Sequence, residues 1–339
     1  MTDPIARLDH AGQRRRTLGL LFAAASGAVL SGTGADAAAP LQEIRIGYQK
    51  YGTLTLLKGR ATLEPRLAAR NIRIKWSEFP AGPQLLEGLN VGSIDFGTVG
   101  EAPPIFAQAA GAALAYVGNE PPSPGSEAIV VPGTSALRTL ADLKGRKIAL
   151  NKGSNVHYLL VKALEKANVA WRDIQPVYLP PSDARAAFER GAVDAWAIWD
   201  PFLAAAEKQL GARVLANGQG LAANHQFYLS SRDFARRHPD VVRIVLDELA
   251  KVDAWGKDHP QEVSALLAAQ TGLPLDVVAL AASRYAYGVK AVTPEVLRAQ
   301  QQIADAFYTL KLIPKPIAVR DAAPPTELLA RLLAKEQAR

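Results

Sequence analysis

The sequence predicts an α/β protein of two lobes, each a mixed, mostly parallel sheet flanked by helices, with a cleft between them. Three observations predict it. After Leu41, short apolar runs alternate with amphipathic helical ones, the rhythm that sets helices on both faces of a mainly parallel sheet. The rhythm restarts near Ala128. The 339 residues suit two lobes and exceed one average domain.

Residues 44–48 alternate as a strand, and 54–70 follow with helical spacing. Residues 72–79 read as a second strand, 82–90 as a helix and 94–97 as a third strand. Pro103 and Pro104 suit the first turn of another helix, where a missing N–H is no loss, and 113–118 are again a strand. The second series runs strand 128–131, helix 140–145 closed by Gly145, buried strand 147–150 and helix 154–167. It continues with strand 176–179, helix 182–190, strand 193–199 and helix 204–210. Gln226-Phe227-Tyr228-Leu229 then reads as a strand returning to the first lobe, and 239–339 as mainly helical. The expected division is 41–127 for the first part of lobe 1, 128–224 for lobe 2 and 225–339 for the return, two crossings that make a hinge.

Residues 1–37 read as an export signal. Arg14, Arg15 and Arg16 precede the apolar run 18–30, and Ala35-Asp36-Ala37 is an A-x-A cleavage site that would leave Ala38 first. The run falls short of the roughly 20 residues needed to span a bilayer. The arginines fit either the twin-arginine or the general secretory route. A soluble periplasmic protein is expected. The chain has no cysteine, which removes disulfides, thiolate ligands, a cysteine nucleophile and a lipid-attachment anchor. Of the net charge of +7, the arginines and aspartates of residues 1–37 supply +1 and the remainder +6. That charge is scattered among acids, unlike the single basic stripe of a nucleic-acid binder, so no nucleic acid is expected. A moderately basic surface suits small anions.

In open α/β sheets ligands sit beyond the carboxyl ends of strands, at helix N-termini. Two such places stand out: Thr98-Val99-Gly100-Glu101-Ala102-Pro103, and Lys152-Gly153-Ser154-Asn155-Val156. A first helical turn leaves N–H groups unpaired beside a positive dipole end, which favours an anion. Thr98, Ser154 and Asn155 add hydroxyl and amide groups. A tight turn and a capped helix account for either loop alone. Two of them on separate lobes let one anion bridge the cleft. In Asp194-Ala195-Trp196-Ala197-Ile198-Trp199-Asp200-Pro201, alternation puts Trp196 and Trp199 on opposite strand faces, with Trp199 nearer the cleft. Asp200 reads equally as a hinge or cap residue and as a ligand contact. His157, His225, His238 and His259 lie apart, without metal-ligand spacing, and are expected at the surface or at caps. No nucleophile elbow, P-loop or dinucleotide fingerprint occurs. No catalytic residues, metal or cofactor are expected.

The segments Arg45-Ile46-Gly47-Tyr48-Gln49-Lys50, Glu78-Phe79-Pro80-Ala81-Gly82-Pro83-Gln84, Leu89-Asn90-Val91-Gly92-Ser93-Ile94-Asp95 and Pro103 to Gly111 resemble the aliphatic-sulfonate-binding proteins of ABC importers. Asp183 to Phe188 and the Asp194–Pro201 run add to the likeness, which spans residues 42–316. It implies a type II periplasmic-binding-protein fold and a monomeric receptor that delivers a small organic anion, an alkanesulfonate, to a membrane permease. The contacts it implies are Gln49, the turn at Gly82, Thr98 with Gly100 and Glu101, Ser154 with Asn155, and Trp199 with Asp200. Three departures stand in these loops: Glu101 where aspartate is common, Asn155-Val156 in place of a serine-rich loop, and Tyr51-Gly52 where small polar residues are common. Taurine, nitrate, a sulfate ester or a pyrimidine are alternative ligands on the same scaffold. Aryl-sulfinate desulfinases and pyrimidine-forming enzymes share that fold. The first needs a cysteine nucleophile and the second cysteine and histidine clusters, both absent here.

Overall fold

The structure is a computed structural model that describes residues 40–324; the expected export signal lies outside them. The described residues from Leu41 on are built on two five-stranded sheets. The first holds β1 (Glu43–Tyr48), β2 (Arg73–Glu78), β3 (Phe96–Gly100), β4 (Leu114–Asn119) and β10 (Gln226–Ser231), in the order β2-β1-β3-β10-β4. The second holds β5 (Glu127–Val131), β6 (Lys147–Leu150), β7 (Gln175–Tyr178), β8 (Ala195–Trp199) and β9 (Arg213–Asn217), in the order β7-β6-β8-β5-β9. Both sheets repeat one pattern. Three neighbouring strands run parallel, and a strand delivered by a crossing between lobes, β10 or β5, lies antiparallel to both of its neighbours.

A repeated clamp fixes each sheet. Asp95 accepts from the Arg45 N–H at 2.8 Å, and Asp194 accepts from the Lys147 N–H at 2.8 Å. In both lobes a carboxylate just before the third strand ties down the first strand. Asp95 also takes the Arg45 guanidinium at 2.5 and 2.9 Å.

Strand alternation splits the core into layers. Ile44, Ile46, Phe96, Val117 and Tyr228 face one way from the first sheet, and Val99, Tyr116, Phe227 and Leu229 the other. The first face is covered by α1 (Gly52–Arg60), α2 (Leu63–Ala68), α9 (Pro239–Asp258) and α10 (Pro260–Thr271). The second is covered by α3 (Gly82–Asn90), α4 (Pro103–Ala109) and α12 (Pro294–Thr309). On the second sheet Ile129, Ile148 and Leu150 pack under α5 (Asn155–Lys166). Val130, Trp196 and Ile198 pack under α6 (Pro181–Glu189) and α7 (Phe202–Leu210). The helices α8 (Arg232–Arg237) and α11 (Leu275–Ser283) complete the set. No helix of the described residues is long and apolar enough to cross a membrane.

Four local expectations change. The helix expected over 54–70 is two, broken at Ala61, whose φ of 51° ends α1. The break has a cause: Pro65 inside a continuous helix would leave the Ala61 carbonyl without its partner, whereas in the first turn of α2 it is harmless. Residues 140–145 form only a 3-10 turn, Leu140–Leu143, held by a Thr139–Asp142 capping box. The strand β9 was not anticipated; it is a half-buried edge paired only with β5. The strand β3 begins two residues later than expected and runs to Gly100, so Thr98 lies inside the sheet instead of in a loop.

Candidate functional site

Strand ends and helix starts meet in the cleft. Gln49-Lys50-Tyr51 link β1 to α1, and Phe79-Pro80-Ala81 link β2 to α3. Glu101-Ala102 link β3 to α4, residues 151–154 link β6 to α5, and Asp200-Pro201 link β8 to α7. A cavity of about 50 Å³ is lined from lobe 1 by Gln49, Tyr51, Gly52, Gly82, Gly100 and Pro103, and from lobe 2 by Ser154, Asn155, Trp199, Asp200 and Pro201. The N-termini of α1, α3 and α5 reach this wall without side-chain caps. Side-chain caps are scarce among the described helices, where Ser231 on α8 and Thr293 on α12 supply them, so what marks α1, α3 and α5 is their meeting at one cavity. Uncapped first turns from both lobes concentrate N–H donors and positive dipole ends on one small space. A larger cavity of about 230 Å³ shares Gln49, Lys50, Tyr51, Trp199 and Pro201 and extends to Phe79, Pro80, Pro181, Ser182 and Phe202.

A polar chain crosses the cavity floor. Gln49 Nε2 donates to the Thr98 carbonyl at 3.1 Å and lies 3.4 Å from the Tyr51 hydroxyl, which donates to Gln226 Oε1 at 2.7 Å. Gln226 Nε2 donates to Asn224 Oδ1 at 3.4 Å, and Asn155 Nδ2 donates to the same oxygen. Asn224 in turn donates to the Ser123 carbonyl and Ser126 Oγ, both at 2.9 Å. The chain links lobe 1, the hinge and the α5 N-terminus. Gly100 permits it: a Cβ there would lie 2.0 Å from the Asn155 amide. Gly82 is confined likewise, its Cβ position 2.8 Å from Pro103 Cγ.

Of the nine residues singled out from the sequence, Gln49, Gly82, Gly100, Ser154, Asn155, Trp199 and Asp200 line the cavity. Thr98 and Glu101 do not. Thr98 Oγ1 donates to the Phe227 carbonyl within the sheet. Glu101 is buried behind the wall, where it accepts from the His225 N–H at 3.0 Å; burial pushes its carboxyl up to about 7 against that bond. Ser154 donates to the Asn151 carbonyl at 2.7 Å. Trp199 faces the cavity, and Trp196 is buried in the core against Phe188. Asp200 accepts from the Ala204 N–H at 2.9 Å. Burial raises its carboxyl to about 7, outweighing Arg284 and that N–H.

His157 departs from the surface half of its expectation and keeps the capping half: its Nδ1 accepts from the Gly153 N–H at 3.2 Å, in the loop that opens α5. It is fully buried among Phe106, Trp171, Tyr178 and Phe307, and burial lowers its pKa to about 3, so the ring is neutral. Tyr51, Ser126, Asn224 and Gln226 line the cavity without having been singled out as contacts, as do Leu267, Val278, Ala281 and Tyr285 from α10, α11 and the following loop. Tyr51 stood out in the sequence only as a departure in the first loop; the α10–α11 wall leaves no local signal. Among the described residues no group of three or more histidine, aspartate or glutamate side chains is placed to hold a metal ion.

Two sheets of this order, joined by two crossings around an interlobe cavity, define a type II periplasmic binding protein. The NMT1/THI5-like family matches residues 76–263. The structure of the alkanesulfonate-binding protein SsuA from Xanthomonas axonopodis pv. citri bound to MOPS is 48% identical, covers 84% of this chain and 99% of its own, and superposes with a TM-score of 0.81. The periplasmic aliphatic sulphonate binding protein SsuA from Escherichia coli is also 48% identical, covers 83% and 91%, and has a TM-score of 0.76. In Escherichia coli (strain K12), a sequence carrying the name of an aliphatic sulfonates-binding protein is 48% identical over 295 residues, 86% of this chain and 92% of its own. The chain belongs to the NMT1/THI5-like family and, within it, to the aliphatic-sulfonate-binding proteins.

Proposed function

We propose that the protein is an exported receptor that captures an aliphatic sulfonate between its lobes and delivers it, as a monomer in the periplasm, to the permease of an ABC importer. The observation that carries this reading is the meeting of uncapped helix N-termini from both lobes at one cavity. A sulfonate stays ionised, offers three acceptor oxygens and carries no proton, so it asks only for donors. Backbone N–H groups supply them without a mobile countercharge. Leu267, Val278, Ala281 and Trp199 on the same wall suit an alkyl tail. An ammonium tail, as in taurine, needs a free carboxylate; Asp200, the one carboxylate lining the inner cavity, is engaged with Arg284 and the Ala204 N–H. Residues 1–37 serve export in this reading.

Thermal unfolding of residues 38–339 with millimolar ligands tests it. The panel holds short alkanesulfonates, taurine, sulfate, nitrate and a hydroxymethylpyrimidine. A ligand at 100 times its Kd stabilises by about 2.7 kcal/mol, which raises the midpoint by several degrees. A rise with alkanesulfonates supports the reading. A rise with nitrate or the pyrimidine alone keeps the transport role and removes the sulfonate.

A further inference from the structure

Helix α11 is held from both sides. Val278 and Ala282, four residues apart, pack on the lobe-1 core. Val277 and Ala281, the neighbouring pair on the adjacent helix face, pack on Ala204 and Ala205 of α7 in lobe 2. Its partner α10 lies against α1 and α9, so α11 comes from lobe 1 and reaches across the cleft. Arg284 follows its last turn. The Arg284 guanidinium is largely buried and meets two lobe-2 acids: Glu207 at 2.5 Å, and Asp200 at 3.4 and 3.5 Å.

Asp200 faces the anion site, where an ionised carboxylate repels an anionic guest. The charged groups around it are few. Glu207 on α7 adds negative charge, Arg284 opposes it, and the Ala204 N–H accounts for one oxygen. Lys50, from the other lobe, also lines the cavity but is half-exposed and pairs with Glu78 at 3.6 Å, and no contact joins it to Asp200, which bonds to Arg284. Cancellation of the Asp200 charge therefore falls to Arg284, and Arg284 is in place only while α11 is seated on α7.

We propose that Arg284 is a specificity-determining residue of the cleft: reaching from lobe 1 onto Asp200 and Glu207 of lobe 2, it removes the negative charge that would face an anionic ligand, and it does so only with the lobes together. Anion acceptance is thereby tied to closure. Arg284 is a positioning residue that acts through Asp200 and need not touch the ligand. The inference rests on the anion-receptor reading above but not on the head group being a sulfonate.

A double-mutant cycle tests it, read as the Kd for ethanesulfonate by calorimetry on residues 38–339 at pH 9, where Asp200 ionises even without the arginine that lowers its pKa. Arg284→Gln is expected to weaken binding about tenfold or more, the scale of one nearby uncompensated charge. In an Asp200→Asn background the same substitution should cost under about threefold, because the remaining acid, Glu207, does not line the cavity. Glu207→Gln, which leaves Arg284 in place and frees it for Asp200, should tighten binding. An equal loss in both backgrounds, or no loss in either, overturns the proposal, since a merely structural arginine would not depend on the charge of Asp200. Should the wild type bind nitrate or sulfate and not ethanesulfonate, the sulfonate reading falls, and the same cycle run with the bound anion still decides the role of Arg284.

Discussion

Asp200 and Glu101 stand on either side of the junction between lobes, and burial holds both carboxyls near 7. In the unfolded chain they ionise near 4. Between those values the folded protein keeps protons that the unfolded chain has lost, so their contribution to stability is full below about 4 and declines as pH rises through 7. The variant Glu101→Gln/Asp200→Asn should lose this decline. Denaturant unfolding at pH 5 and 8 checks it: the wild type should weaken over that interval more than the variant. His157 acts in the opposite sense, because its pKa, lowered to about 3, makes acidification below 6.5 destabilising. Gly100 is the other decisive residue. Gly100→Ala puts a methyl into the Asn155 amide, which must then leave Asn224 and the Ala102 N–H. Overpacking of this kind costs about 1–3 kcal/mol, and ligand affinity should fall with stability when both are measured on one sample.

Among the elements, β8 and the residue after it carry most weight, since Trp196 to Asp200 supply two large core residues and two cavity residues within five positions. The alternation of β8 sends Trp196 and Ile198 under α6 and α7 and Trp199 to the other face, and Asp200, just past the strand's end, reaches the same cavity. Trp196→Ala should destabilise by about 3–5 kcal/mol, seen as a lower denaturant midpoint, while Trp199→Phe should leave stability nearly intact. This strand was legible because its period of two and its carboxyl end are local facts. So were the loops at Gly82, Gly100 and Ser154, where glycine, proline and serine mark the passage from strand to helix. Thr98 is illegible as a strand residue because Ile94 and Asp95 look like strand, yet Asp95 is used as a clamp on Arg45 and the pairing starts at Phe96. The break at Ala61 depends on one proline three residues into a helix. The edge strand β9, half-buried along its length, lacks the buried run that marks a core strand. The α10–α11 wall depends on packing between residues more than 200 positions from Gln49 in sequence, which no local pattern encodes.

At the scale of the whole molecule, the two sheets share one strand order, one aspartate clamp and one way of aiming helix starts at the cleft. Hinge contacts join them through Ser123, Ser126 and Asn224, and α11 joins them again through Arg284. In the proposed reading, an anion held by N–H groups of both lobes would add a third connection, and the free energy of that bridge would favour closure. If buried N–H donors carry the binding, with Lys50 at the cavity already paired to Glu78, affinity should depend only weakly on salt, because screening acts little on a desolvated site. Titrating ethanesulfonate between low and 0.5 M sodium chloride should change Kd by less than about threefold, whereas capture by the exposed basic surface would weaken steeply.

The most direct test is a calorimetric titration of residues 38–339 with ethanesulfonate, matched against ethanol, nitrate and a hydroxymethylpyrimidine. Saturable one-to-one binding of ethanesulfonate, with no heat from ethanol, is the predicted result. Saturation by nitrate or the pyrimidine with none by any alkanesulfonate would contradict the account.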